Sequence, residues 1–461
     1  MPDLNIATGI AKGGAGVPSA SIVDDHKISE LAVPTSQARR SAPAFAIAVV
    51  LTGVAAGFAG MLLGLLLHLV QHLAYGYSLD AVVSPESFLQ GVTAAPPIRR
   101  VAALTLCGVV AGVGWWAVYR FGRPLVSVKA AVGGDVPGPR MPAVATTAHV
   151  LLQIVTVALG SPLGREVAPR EMGALLATWL SSRAGFGAEE RRILIACGAG
   201  AGLAAVYNVP LGGAIFILEV LLGTFAPKAL VPALATSVIA AMVAWIGLGN
   251  VPQYQVPPLA ISPSLVAWSI VAGPILGVAA YGLRAVIGAA AAHTPRGWHR
   301  VPWCLAVFIG IGLLATLFPQ LPGNGKGPSQ LGFDGELGLR LAASLLALKL
   351  LAIATTIRAG AAGGVLTPSL TVGALLGVVL GHVWNLLFSG VPAAGFAIVG
   401  AAAFLASAMN MPLTAIALTI EFTRVGHDLW VPICLAVAGS SAAVHACARW
   451  GVKAAGSGPK R

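Results

Sequence analysis

From about Pro43 to about Ala448 the chain alternates long apolar stretches with short interruptions rich in Gly, Pro and charge. About 20 apolar residues in a row are what an α-helix needs to cross ~30 Å of hydrocarbon. The pattern predicts long helices at about 44–75, 100–119, 229–248, 264–292, 301–318 and 339–356. Segments near 170–182, 193–207 and 211–225 are shorter, and several fall below a full crossing; short segments are also expected after Gly363. Gly/Pro-rich loops are expected at 122–140 and 322–338. Residues 1–40 are polar and read as a flexible tail without a cleavable leader, 41–450 as one membrane domain, and 451–461 as a C-terminal tail. Arg39-Arg40 reads better as a cytoplasmic stop than as an export signal, because many further spans follow.

Two pairs of motifs break the apolar pattern. Asn208-Val209-Pro210-Leu211 leads to Glu219, and Asn410-Met411-Pro412-Leu413 leads to Glu421, eleven residues on in each case. Gly164-Arg165-Glu166-Val167-Ala168-Pro169 and Gly363-Gly364-Val365-Leu366-Thr367-Pro368 each open a new apolar segment. Both pairs lie about 200 positions apart, which implies two homologous halves, about 41–250 and 260–450. Helices broken at matching positions of two repeats mark a binding site near the membrane midplane. Unpaired backbone is tolerable there only where it lines a cavity or binds an ion. Because Pro suits the first helical turn, each Gly-led motif predicts a helix N-terminus inside the membrane. Its free N–H groups and positive dipole end make an anion site, and Glu166 places a carboxylate in one of them.

Composition narrows the function. The 461 residues are 57% hydrophobic and 10% charged, with a mean hydropathy of +0.85, which excludes a soluble domain. The net charge of +12 would suggest nucleic acid in a soluble protein, but here Lys and Arg cluster between apolar segments and at the ends. That placement sets orientation in a bilayer, so no nucleic-acid partner is expected. Of sixteen acidic residues only Glu166, Glu171, Glu219 and Glu421 fall well inside apolar runs, and ionisable groups at membrane depth are functional candidates. Glu171 is expected to pair with a nearby Arg. Lys349 would snorkel to an interface or line a path. Gly198, Gly200 and Gly202 read as one small-residue ridge for helix packing. Cys107, Cys197, Cys304, Cys434 and Cys447 lack metal-type spacing and read as free thiols. His68 and His72 have a spacing that suits zinc, yet no Cys or carboxylate joins them, so interhelical hydrogen bonding is expected, with no metal and no cofactor. With no phosphate loop, H-E-x-x-H or triad, enzyme activity is not expected.

In their order and spacing these motifs resemble the CLC family of chloride channels and proton-coupled chloride transporters, across residues 44–450. Gly164-Arg165-Glu166 is similar to the start of the family's G-R-E-G-P motif, with the proline shifted by one to Pro169. Gly363–Pro368 is similar to G-x-F-x-P, with Leu366 at the Phe position. Residues 198–219 and 400–421 match the two other repeat segments. The resemblance implies an all-α polytopic fold with two inverted repeats and broken helices. It implies homodimers with one pathway per subunit, chloride or other small anions as partners, and, for so compact a member, a prokaryotic inner (plasma) membrane.

Site residues follow from the same resemblance. Glu166 is implied as the gate. Gly122, Arg123, Gly164, Arg165, Val365, Leu366 and Thr367 are implied as anion-binding, the last three through backbone N–H groups. Arg165 either braces its loop or draws anions into a vestibule. The family's G-S-G-I-P motif falls near Gly122-Arg123-Pro124-Leu125-Val126, which puts Arg123 in the place of an anion-binding Ser. The alternatives are Ser127 as the hydroxyl and Arg123 as a plain charge at a helix end. Trp450 is the aromatic nearest to the family's central Tyr position. Val220 stands where proton-coupled members carry a relay Glu. Glu219 and Glu421 read as carboxylates that hold backbone in the opposite half, or as proton relays. The favoured function is passive anion conduction gated by Glu166. The alternatives are Cl⁻/H⁺ exchange by another inner route, with protons as a second partner, and transport of a different anion held by Arg123.

Overall fold

The computed structural model describes residues 42–78, 83, 86–133 and 138–456, with side chains described to 449. The expectations for the 1–40 tail and for the Trp450 side chain lie outside these residues. The first half runs α1 (Ala42–Tyr75), α2 (Phe88–Ala94), α3 (Pro97–Phe121), α4 (Val128–Val132), α5 (Ala143–Ala158), α6 (Val167–Ala184), α7 (Ala188–Tyr207), α8 (Pro210–Phe216) and α9 (Pro227–Leu248). A π-helical turn, Ile217–Leu222, extends α8. The second half runs α10 (Pro263–Ala292), α11 (Arg300–Leu317), α12 (Lys326–Phe333), α13 (Leu339–Ala359), α14 (Leu366–Asn385), α15 (Ala393–Met409), α16 (Pro412–Thr423) and α17 (Trp430–Gly456). From α3 and α11 onward the halves correspond helix for helix at an offset of about 200, and α1 packs on α9 as α10 packs on α17.

Among the described residues eight helices are long and apolar enough to cross a membrane. Leu51, Leu62 and Leu73 on α1 and Leu106, Val109 and Val113 on α3 are exposed, which in lipid costs nothing and in water would. One span was expected to be short: α14 runs 20 residues. Pro368 is its third residue, where the N–H has no intrahelical acceptor anyway, so the motif that starts α14 does not interrupt it. The two Gly/Pro-rich loops each hold a short helix, α4 capped by the Ser127 hydroxyl and α12 begun by Gly325 at φ 104°.

The glycines of α7 serve two interfaces rather than one ridge. A Cβ on Gly198 would stand 2.7 Å from Ala177 and collide with the Gly173 carbonyl, and one on Gly202 would collide with the Pro169 carbonyl, so both face α6. Gly200 faces Ile217 instead. Backbone-to-backbone contact with α7 therefore fixes the start of α6.

The two halves are tied by a reciprocal exchange. α7 and α15 both end on an Asn in the left-handed region, Asn208 at φ 56° and Asn410 at φ 54°, a conformation Asn tolerates better than most residues. A proline then starts the next helix. Glu219 accepts from the amides of Leu413 (3.0 Å) and Thr414 (2.7 Å) and from the Thr414 hydroxyl (2.6 Å). Glu421 accepts from the amides of Leu211 (2.9 Å) and Gly212 (2.6 Å). Each carboxylate thus satisfies the unpaired first-turn N–H groups of the opposite repeat's helix and meets its positive dipole end. Glu421→Ala strands two amides and is expected to cost about 3 kcal/mol, read as a lower thermal midpoint in detergent. Glu219→Ala should match it, and an unchanged midpoint in both would contradict this structural role.

Candidate functional site

The loops that precede α6 and α14 meet through two backbone hydrogen bonds. Gly164 N–H donates to Gly364 O (2.7 Å), and Gly364 N–H donates to Gly164 O (2.8 Å). This bridge brings the N-termini of two long helices to one place. Glu166 occupies the N-cap of α6 but its side chain does not cap that helix. It reaches across the bridge, where Oε1 accepts from Leu366 N–H at 2.6 Å, the first amide of α14. A Cβ on either Gly164 or Gly364 would collide with this carboxylate, so the two glycines form its cradle. Glu166 is 1% exposed.

Energetics explain why the charge is tolerated. Burying an ion costs several kcal/mol even after relaxation. Each helix end carries roughly half a positive charge, and at ~4 Å with an effective dielectric near 20 it returns about 2 kcal/mol. Two such ends plus one charge-assisted hydrogen bond worth about 2 kcal/mol offset the cost. A chloride ion in the same place would meet the same two helix ends and gain nearly the same energy.

Further side chains complete the cluster. The Tyr207 hydroxyl, from the last residue of α7, lies 3.0 Å from Thr367 Oγ1 and 3.5 Å from Glu166 Oε2. The Arg165 guanidinium stacks over the Tyr207 ring at 5.0 Å and approaches Gln253 Oε1 at 3.5 Å, while its Nε has no acceptor among the described residues. Arg170 lies over the Phe216 ring at 4.5 Å. An open cavity of about 910 Å³ reaches the cluster, lined among others by Arg165, Tyr207, Thr367, His68 and Lys326. Glu166 is not part of that lining. Arg165 therefore lines this cavity.

Gly164, Arg165, Glu166, Val365, Leu366 and Thr367 are brought together at the bridge. Gly122 and Arg123, expected with them, are exposed. α3 continues to Phe121, Gly122 closes it by donating to Val118 O (2.9 Å), and the next helix starts only after Ser127. Ser127 is the buried hydroxyl of that loop and caps α4 through Ala130 N–H (3.1 Å).

Three other expectations are corrected. Glu171 pairs with His149 Nδ1 at 2.8 Å and with Gln153 Nε2 at 3.2 Å, not with an Arg. Lys349 neither snorkels nor lines the cavity; it is buried, and its ammonium donates to the carbonyls of Leu321 (3.1 Å) and Gly323. That holds the loop whose Gly323 N–H donates to Gly160 O (2.8 Å). His72, expected to hydrogen-bond between helices, donates to the Ser78 carbonyl just past the end of its own helix, and His68 faces the cavity. Tyr207 was missed. Its signal was a hydroxyl-bearing residue directly before Asn208 in an apolar segment, where the other repeat has Met409.

Comparison with known proteins bears on family and fold. The family model for voltage gated chloride channels matches residues 107–445. The voltage-gated ClC-type chloride channel ClcB of Citrobacter koseri is 30% identical over 349 residues, 73% of this chain and 82% of that protein. A putative chloride channel protein, ClcB-like, from Ralstonia nicotianae is 29% identical over 370 residues, 77% of this chain and 84% of that one. Among solved structures, a slow cyanobacterial Cl⁻/H⁺ antiporter superposes with a TM-score of 0.75 at 21% identity, covering 88% of this chain and 95% of that one. A CLC-type fluoride/proton antiporter superposes with a TM-score of 0.62 at 21% identity, covering 87% and 94%. At such identity the structural likeness carries the fold, two inverted repeats with broken helices.

Glu166→Ala removes the carboxylate from the Leu366 amide without filling the space it leaves. The variant is expected to fold and to bind chloride about tenfold more tightly by calorimetry, a change of ~1.4 kcal/mol. Unchanged affinity would mean that carboxylate and anion do not share the position.

Proposed function

The chain belongs to the voltage gated chloride channel family, and from that premise we propose that it carries chloride along a pathway closed by the Glu166 carboxylate. The observation that carries the proposal is Glu166 Oε1 on the Leu366 amide, the position where two helix N-termini would hold an anion. Protonation removes the carboxylate's charge and its claim on those N–H groups. The neutral side chain swings away, and chloride takes its place. Opening is therefore favoured by low external pH. Arg165 and Lys326 line the cavity and raise the local anion concentration. Transport rather than catalysis of a reaction is the activity. Pairing into homodimers and residence in a bacterial inner membrane belong to the same proposal.

Passive conduction is supported by the inner carboxylates. Val220 takes the place of a relay Glu, and both oxygens of Glu219 are committed to Leu413 and Thr414. Exchange of chloride for protons is the second reading. It is favoured by the superposing structures being those of proton-coupled antiporters and by the buried His149–Glu171 pair between α5 and α6, which an inner proton route can use. The exposure of Arg123 lends nothing to transport of a different anion held by that residue.

Purified protein in liposomes with a chloride gradient separates these readings when chloride efflux and internal pH are recorded together. The account predicts efflux that rises as external pH falls, is high at all pH in Glu166→Gln, and moves no protons uphill. Uphill proton movement that Glu166→Gln abolishes would establish exchange. No chloride movement in either form would reject both.

A further inference from the structure

Glu166 is sealed from the cavity, yet its gating needs a proton. The carboxylate is 1% exposed and does not line the cavity, whereas Tyr207 and Thr367 do. Their hydroxyls form a chain that ends on Glu166: Thr367 Oγ1 to Tyr207 Oη at 3.0 Å, then Tyr207 Oη to Glu166 Oε2 at 3.5 Å. We propose that this hydroxyl pair is the external proton relay of the gate, which goes beyond the function proposed above and rests on Glu166 gating.

The directions of the hydrogen bonds make the relay work. An ionised carboxylate only accepts, so Tyr207 donates to Glu166 and Thr367 donates to Tyr207. Water in the cavity gives a proton to Thr367 Oγ1. The Thr367 proton passes to Tyr207 Oη, and the Tyr207 proton passes to Glu166 Oε2. One proton leaves the cavity, one arrives on Glu166, and both hydroxyls stay neutral. Afterwards Glu166 donates to Tyr207 and Tyr207 donates to Thr367. The 3.5 Å link is long at rest and must shorten during transfer, as resting hydrogen bonds of proton-transfer groups often do.

The relay is held in place. Arg165 packs on one side of the Tyr207 ring at 5.0 Å, and Phe422 lies 5.4 Å from its centroid. Thr367 belongs to the first turn of α14, where its carbonyl accepts from Thr371 Oγ1 at 3.0 Å. The charged and titratable groups facing Glu166 are Arg165 beside it, Arg170 on its own helix and Tyr207 on α7. Beyond Arg165 lie His68 on α1 and Lys326 on α12, with Glu86 and Asp334 also on the cavity wall. Among the described residues Glu86 and Asp334 make no hydrogen bond to Glu166, so the hydroxyl pair links cavity and gate.

The test is a rapid drop in external pH on proteoliposomes, with the approach of chloride efflux to its new level recorded in time. Wild type should respond quickly. Tyr207→Phe should approach its new level about 100-fold more slowly, the scale a positioned proton-transfer group contributes. Thr367→Val should slow it as well, and Thr367→Ser should restore the rate, so the proposal stays open to refutation even if Tyr207→Phe folds poorly. Glu166→Gln should show no acid response with or without Tyr207→Phe. If Tyr207→Phe responds as fast as wild type, or only shifts the pH midpoint, Tyr207 is a hydrogen-bond donor and not a relay, and Glu166 gating stands. If wild type shows no acid response at all, the gating proposal itself falls and the relay with it.

Discussion

Two long helices point their N-termini at one spot inside the protein, and that spot must hold negative charge. This constraint organises the molecule. The paired bonds between Gly164 and Gly364 impose it by tying the two entry loops together. Backbone contact of α6 with Gly198 and Gly202 of α7 fixes the first helix, and the second is buried along most of its length. Without an anion, the free N–H groups and dipole ends would be stranded in a medium that cannot solvate them. Glu166 meets the need with a charge that can be neutralised.

The chain uses the same chemistry three times, with different tethering. Glu219, Glu421 and Glu166 each reach into the opposite repeat to accept from the first amides of a helix. Glu219 holds two amides and a hydroxyl, and Glu421 holds two amides. Glu166 holds the opposite repeat by one short bond to Leu366, with Tyr207 at long range. The first two join the halves permanently. The third is held by fewer bonds, and in the gating proposed for it that difference lets the charge leave the bridge.

Much of this was legible along the chain because it is written in periodicity. The repeat, its broken helices and the buried carboxylates follow from spacing alone, since Pro and Gly mark helix starts and an acid in an apolar run is costly. The partners of charged residues were less legible. Glu171 found His149 rather than an Arg, and Lys349 found carbonyls, because those choices depend on which helices pack side by side. The choice between the two readings of Arg123 was open in the sequence, and its exposure just past the end of α3 fits the plain charge at a helix end. Tyr207 carried only a weak local signal, the hydroxyl before Asn208 where the other repeat has Met409. Only the approach of α14 puts a hydroxyl beside it.

The central claim is that the Glu166 carboxylate and a permeant anion occupy one place. Its most direct test is the structure of wild type and of Glu166→Ala in bromide, with anomalous scattering to locate the ion. The account predicts a bromide on the Leu366 amide between Gly164 and Gly364 in the variant, and the carboxylate there in wild type. Bromide elsewhere in the variant, or at that amide alongside an unmoved carboxylate, would contradict it.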